Sequence, residues 1–157
     1  MEELIKILTD FSNIDLDELL FDVYSDKEFQ RFAININTED QLRLGLNKEG
    51  DLLGEYQSIG YALFKDRLAG RRAPFKIVDL YVSGRFYRTF RINPLKDGFE
   101  IEADTDIYQA ESGIDFEEQY PGVVGIEEEM NLEKITNFVE EELIIKVFKK
   151  LGIEDIQ

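Results

Sequence analysis

The sequence predicts an α+β fold: a small antiparallel sheet with a long C-terminal helix and N-terminal helices. Three observations carry this reading. Leu132, Ile135, Val139, Leu143 and Val147 recur at helical spacing, with Phe138 and Ile144 beside them. Asp97-Gly98 precedes Phe99, Ile101 and Ala103, which alternate with acidic residues, the mark of a hairpin turn and its returning strand. Residues 1–30 carry apolar stripes at helical spacing.

The 157 residues suit a single domain with its own core. The chain divides into a helical N-terminal arm (1–30), an α+β core (31–110) with a basic loop at 65–76, an acidic loop (111–130) and a C-terminal helix (131–151). In the arm, Leu4, Ile5, Leu8 and Phe11 form one stripe, and Leu16, Leu19, Leu20 and Val23 a second. Asn13 offers a break and a cap between them, and Ser25 a cap for a third piece beginning DKEFQRF. Phe32, Ile34 and Ile36 alternate with Ala33 and Asn35, which fits a short strand. Thr38 and Gln41 have the spacing of a capping box before Leu42, Leu44 and Leu46. Gly45 or the NKEGD stretch ends that brief helix.

Residues 47–56, NKEGDLLGEY, form a turn-rich loop. Its acidic spacing lacks the register and terminal bidentate Glu of a calcium loop, so a solvated turn is expected. QSIGYALFKDRLAG (57–70) returns to helical spacing with Ile59, Leu63 and Phe64 inward and Gly70 as its stop. RRAPFKIVDLYV (71–82) runs into a strand, with Pro74 near its start. Ser83-Gly84 interrupts, FYRTF makes a helical turn, and RTFRINPL pairs with GFEIEAD around a type I′ turn at Asp97-Gly98. Residues 105–125 read as an irregular acidic loop with one helical turn. The last helix has Asn131 as its cap, Lys149 and Lys150 in its final turn and Gly152 as its end.

Composition narrows the function. Apolar residues at 43% and aromatics at 12% mark a globular chain. A mean hydropathy of -0.30 and the lack of any apolar run of about 18 residues exclude a membrane span, and no membrane partner is expected. The N-terminal MEELIKILTDF has no basic region or cleavage site of the signal-peptide kind, and a cytosolic origin is expected. Cysteine is absent, which removes disulfides, thiolate metal sites and thiol nucleophiles. Histidine is absent too, and with it the commonest general base and zinc ligand. The expectation is a protein that is not an enzyme, with no catalytic or metal site and no cofactor. The acidic run Glu140–Glu142 fans around its helix and cannot converge on one ion. A metal enzyme built on carboxylates therefore ranks last among the readings.

Charge points to contact between copies. The net charge is -16, yet residues 65–91 hold eight basic side chains against Asp66 and Asp79. A chain with a basic and an acidic part can join head to tail with copies of itself. Arg67, Arg71, Arg72, Lys76, Arg85 and Arg88 are the expected subunit-contact residues, with the acidic 111–129 loop as their counterpart. Leu80, Phe86 and Phe90 are expected in the core, and Gly84 to serve backbone geometry. The alternative is an accessory protein touching nucleic acid through 65–91. GRFYRTF (84–90) is reminiscent of the RNP1 strand of RNA-recognition domains, but Arg85 stands in its first aromatic slot and Arg88 in its aliphatic one. The overall negative field also opposes phosphate binding.

Residues 37–92 carry a further pattern. NTEDQL leads to a turn at Gly50-Asp51-Leu52-Leu53-Gly54-Glu55-Tyr56. A helix ends in Lys65-Asp66-Arg67-Leu68-Ala69-Gly70. Then follows Val78-Asp79-Leu80-Tyr81-Val82-Ser83-Gly84-Arg85-Phe86-Tyr87-Arg88-Thr89-Phe90. This order resembles the tail-completion or virion-morphogenesis (head–tail connector) proteins of tailed bacteriophages, in particular those of phages of Bacteroides-like hosts. Their Asp-Thr-Gly stands here as Val82-Ser83-Gly84. The resemblance implies a non-enzymatic virion protein, assembled in the host cytoplasm as a ring of about six or twelve copies at the head–tail joint. Its implied partners are copies of itself and portal, adaptor or tail-tube proteins, with non-specific contact to DNA in the channel.

Overall fold

Helices α1 (Glu2–Ser12), α2 (Leu16–Ser25) and α3 (Lys27–Asn35) open the computed structural model, which describes residues 1–68 and 70–153. Aspartates mark their borders. The Asp15 carboxylate accepts from the Asp17 and Glu18 N–H groups at 3.1 and 3.2 Å, and Asp26 from Glu28 N–H at 2.7 Å. Each satisfies donors that a first helical turn leaves unpaired. The caps are therefore Asp15 and Asp26, not Asn13 and Ser25.

No strand forms at Phe32–Ile36. Phe29 and Ala33 are fully buried one turn apart, and the helix they anchor continues through Asn35. Five residues of alternation are too short a signal to outweigh that packing. The chain passes into a π-helical turn (Ile36–Gln41) and a 3-10 turn (Leu42–Leu44). The Thr38–Gln41 box caps nothing, because Thr38 Oγ1 donates back to the Ile34 carbonyl at 2.8 Å from within the helical run. Two polar residues of this turn, Asn37 and Gln41, are fully buried. Asn37 Nδ2 donates to the Val123 carbonyl at 3.2 Å, and Asn37 Oδ1 accepts from Gly125 N–H at 2.8 Å. Gln41 Nε2 donates to the Lys48 carbonyl at 3.3 Å. The π-turn thus holds two distant loops.

Gly45 ends the run at φ +81, and a Cβ there would lie 2.2 Å from Ile77 Cγ2 and 2.8 Å from the Val78 carbonyl oxygen. Both conformation and space require glycine. After the 47–56 loop, Ser58 caps helix α4 (Ile59–Asp66) by accepting from Tyr61 N–H. A 3-10 turn (Tyr87–Thr89) then leads into the hairpin β1 (Arg91–Leu95) and β2 (Gly98–Glu102). Ile92 faces Ile101 and Leu95 faces Gly98, so Lys96-Asp97 is the two-residue loop. None of Lys96, Asp97 and Gly98 has a positive φ, so the turn is not type I′ and Gly98 lies in the strand.

The acidic stretch holds two short helices, α5 (Gln109–Ser112) and α6 (Phe116–Gln119). Helix α7 (Glu129–Lys150) begins ahead of the expected start. Its cap is Glu128, which accepts from Asn131 N–H at 2.9 Å, and Asn131 is itself buried.

Two cores share the hairpin. The first gathers Val23, Phe29, Ala33, Ile36 and Ile135, with Phe99, Phe138 and Val139 packed on it. The second gathers Leu42, Phe86, Tyr87, Phe90 and Val123, with Ile101 and Phe116 around it. Phe86 and Phe90 lie in this core as the sequence implies, and Leu80 packs on it half-buried. Phe29 centres the first core, with edge contacts to Tyr24 and Phe99 at 5.4 and 5.0 Å between ring centroids. Phe29→Ala is therefore expected to cost about 3–5 kcal/mol in denaturant unfolding, through the cavity it opens. Phe11→Ala on α1, 57% exposed, should stay within about 0.5 kcal/mol of the parent. A large effect at Phe11 in the isolated subunit would contradict the exposure of α1.

Candidate functional site

The strand expected across residues 71–82 does not form. An isolated bridge pairs Ile77 with Glu55, and Lys76 and Leu80 adopt left-handed φ values of +71 and +51. For residues with a Cβ this costs roughly 1–2 kcal/mol each. The two strained residues bracket Ile77, Val78 and Asp79, all buried. They turn the segment so that the Asp79 carboxylate points into the protein.

There Asp79 meets the face of α4 opposite to the one expected inward. Ala62 and Lys65 are the buried residues of α4, while Ile59, Leu63 and Phe64 are exposed. Lys65 Nζ reaches Asp79 Oδ1 at 2.5 Å and also donates to the Tyr81 carbonyl. Both side chains of the pair are almost wholly buried. Tyr56 Oη donates to Asp79 Oδ1 at 3.0 Å, Tyr81 N–H donates to it at 3.2 Å, and Tyr87 Oη donates to the Asp79 carbonyl at 2.5 Å. Arg71 Nη1 lies 3.7 Å from Asp79 Oδ2. A second arginine, Arg43, stacks its guanidinium 3.7 Å above the Tyr81 ring and donates to the Gly70 carbonyl at 2.7 Å.

Burial pushes the Lys65 amine below its ordinary value, against the raising effect of the Asp79 carboxylate. Burial, with Asp79 adding to it, raises the Tyr56 and Tyr87 hydroxyls well above the usual value of 10.0. With its bonds directed at Asp79 and the Tyr81 carbonyl, Lys65 ties α4 to the 77–81 segment.

A cleft of about 400 Å³ opens beside the cluster, lined by Tyr56, Tyr61, Tyr108 and Tyr120 with Val82 and Lys65. The ring of Tyr61 lies 5.9 Å from that of Phe64, so the cleft wall runs into the exposed face of α4.

The six expected contact residues fall in three environments. Arg71 is interior: its side chain is 5% exposed, and it donates to the carbonyls of Ala73, Pro74 and Ile77. Those carbonyls have no strand partners, and the guanidinium takes that place. Arg72 and Arg85 are surface residues engaged within the chain. Arg72 donates to the Glu39 carbonyl at 2.9 Å, and Arg85 pairs with Glu111 at 2.7 Å over the Tyr108 ring. Glu111, in the acidic loop expected to meet a neighbour's basic face, therefore pairs with Arg85 of its own chain. Arg67 and Arg88 are exposed and Lys76 half-buried, and among the described residues their side chains make no ion pair. Arg88 donates to the Ser83 carbonyl. Gly84, at φ +71 and packed against Tyr81, serves backbone geometry.

Sequence reasoning missed Lys65, Asp79 and Arg43. The available signal was the helical register of α4: Lys65 is one turn from Ala62, on the side away from Leu63 and Phe64. Among the described residues no group of three carboxylates could hold a metal ion, and no helix is long and apolar enough to cross a membrane. No protein-family model matches the sequence, and no curated protein or solved structure shows similarity to the chain.

The buried pair supports two predictions. Asp79→Ala leaves the Lys65 ammonium buried without its carboxylate, and Lys65→Ala leaves Asp79 with Arg71 at 3.7 Å as its nearest remaining cation, each at an expected cost of about 3–5 kcal/mol in chemical denaturation. The double variant should cost clearly less than the sum, and strict additivity would show that the two groups do not interact. For pH, the raised tyrosines keep their protons in the folded state while the unfolded chain loses them near 10. Their contribution is intact below pH 10 and is lost as pH rises above it, with a slope of at most about 1.4 kcal/mol per pH unit for each group. Lys65, with its lowered value, acts in the opposite sense, its burial cost easing as pH rises toward 10.5. Tyr87→Phe should flatten the alkaline fall in unfolding midpoint. An unchanged slope would show that Tyr87 titrates alike in both states.

Proposed function

We propose that the protein is a structural subunit of a bacteriophage virion, forming a ring at the head–tail junction and joining portal or connector to tail through protein–protein contacts. The observation that carries this reading is α1. Leu4, Ile5, Leu8 and Phe11 lie on an amphipathic helix of which no residue is buried in its own chain. An exposed apolar stripe of this size marks an assembly contact. Further exposed apolar residues on α4 support the same reading, as does the resemblance of residues 37–92 to tail-completion proteins.

The alternative of nucleic-acid contact loses support from the placement of the arginines. Arg71 is buried, and Arg72, Arg85 and Arg91 each lie close to carboxylates of the same chain. The remaining exposed cations are set against a net charge of -16.

Native mass spectrometry across protein concentration, with electron microscopy of purified particles, tests the proposal. The expected result is a closed oligomer of one size and label density at the neck of virions. A chain that stays monomeric at high concentration and is missing from virions would overturn it.

A further inference from the structure

α1 and α4 present complementary faces. On α1, the exposed apolar stripe is accompanied by Glu2, Glu3 and Asp10 against the single cation Lys6. On α4, Ile59, Leu63 and Phe64 are exposed, and Phe64 is 50% accessible. Arg67, at the end of α4, falls on this face by helical register and makes no ion pair among the described residues, while the neighbouring Asp66 lies 3.9 Å from Arg71. One surface is apolar with an acidic border, and the other is apolar with a basic border.

We infer that α1 of one copy docks on the outer face of α4 of a second copy, an inference that rests on the self-assembly reading above. Charge selects this pairing over the others the molecule offers. Pairing α1 with α1 would bring Glu2, Glu3 and Asp10 of both copies together, and like charges at close quarters disfavour it. The exposed Ile144 and Ile145 of α7 share their face with Glu140 and Glu141, which repel the same acidic helix, and Lys149 one turn on from Ile145 offsets only part of that charge. The α4 face combines exposed apolar side chains with Arg67, a cation that makes no ion pair among the described residues. It also continues through Tyr61 into the tyrosine-lined cleft, which offers space beside the helix for an apolar side chain. The contact joins two different surfaces, so every copy offers one of each. Such a heterologous contact propagates, and it closes into a ring when the rotation allows.

The cysteine-free chain permits a clean test. Full-length Leu8→Cys and Leu63→Cys proteins are mixed under mild oxidation and read on non-reducing gels. The mixture should give a disulfide-linked dimer that neither protein gives alone. A dimer from Leu8→Cys alone would show α1 pairing with α1, and its formation in place of the mixed product would overturn the inference. So would failure of the mixture to cross-link while native mass spectrometry shows assembled parent protein. That last outcome leaves the ring reading standing, whereas a monomeric parent ends both. A second measurement avoids cysteine. Phe11→Glu and Phe64→Glu should each abolish assembly, and their mixture should form one-to-one dimers and nothing larger, since only one good interface remains. Assembly of either variant alone would refute the pairing. Both positions are exposed, and circular dichroism matching the parent verifies the fold. Arg67→Glu should weaken parent assembly by about tenfold, with recovery in Arg67→Glu/Glu3→Lys.

Discussion

The Lys65–Asp79 pair is the constraint around which the middle of the protein is arranged. A carboxylate taken out of water must be surrounded by donors, and Asp79 has them: Lys65, the Tyr56 hydroxyl and the Tyr81 amide. Serving one carboxylate brings α4, the 47–56 loop and the 76–82 segment to one point. The left-handed conformations of Lys76 and Leu80 are the conformational cost of that arrangement. Arg71 completes it from the other side by occupying carbonyls that a sheet would have paired. A segment whose ladder is reduced to the single Glu55–Ile77 bridge is thereby held in large part by side chains.

The same constraint explains the surface. With Lys65 facing inward, helical geometry turns Leu63 and Phe64 outward. A polar interior and an apolar exterior on one short helix invert the usual pattern. The basic character of residues 65–91 divides in the same way. Lys65 and Arg71 belong to the interior, Arg72, Arg85 and Arg91 to pairs within the chain, and Arg67, Lys76 and Arg88 to the accessible remainder. Linear charge counting assigns all of them to one face, because it cannot see which carboxylates the fold brings near.

The long elements were legible because their signals are repeated many times over. α7 shows its stripe through several turns, and the hairpin shows alternation beside a turn. The strand expected at Phe32–Ile36 and the one expected at 71–82 rested on a few β-branched and aromatic residues. In the first case tertiary packing around Phe29 and Ala33 decided for helix. In the second, the need to bury Asp79 against Lys65 decided for an irregular path. The candidate site was legible in its region but not in its geometry. Residues 65–91 were singled out by charge, whereas the role of Asp79 depends on contacts with Tyr56 and Lys65 across more than a dozen positions of sequence. No local pattern encodes those.

The junction between α1 and α2 has a consequence for size. α1 ends at Ser12 and α2 begins at Leu16, so Asn13, Ile14 and Asp15 alone connect them. Three residues span at most about 10 Å. α2 is fixed to the body, with Leu19 and Val23 buried and Glu18 paired to Lys150 of α7. Under the docking proposed above, the neighbour's position follows from the direction in which α1 leaves this short joint. In the proposed ring, the angle there, repeated from copy to copy, would set the curvature, and so the number of subunits and the width of the channel they enclose. Lengthening the joint by even one residue would act on the diameter of the ring before it acted on the stability of any subunit.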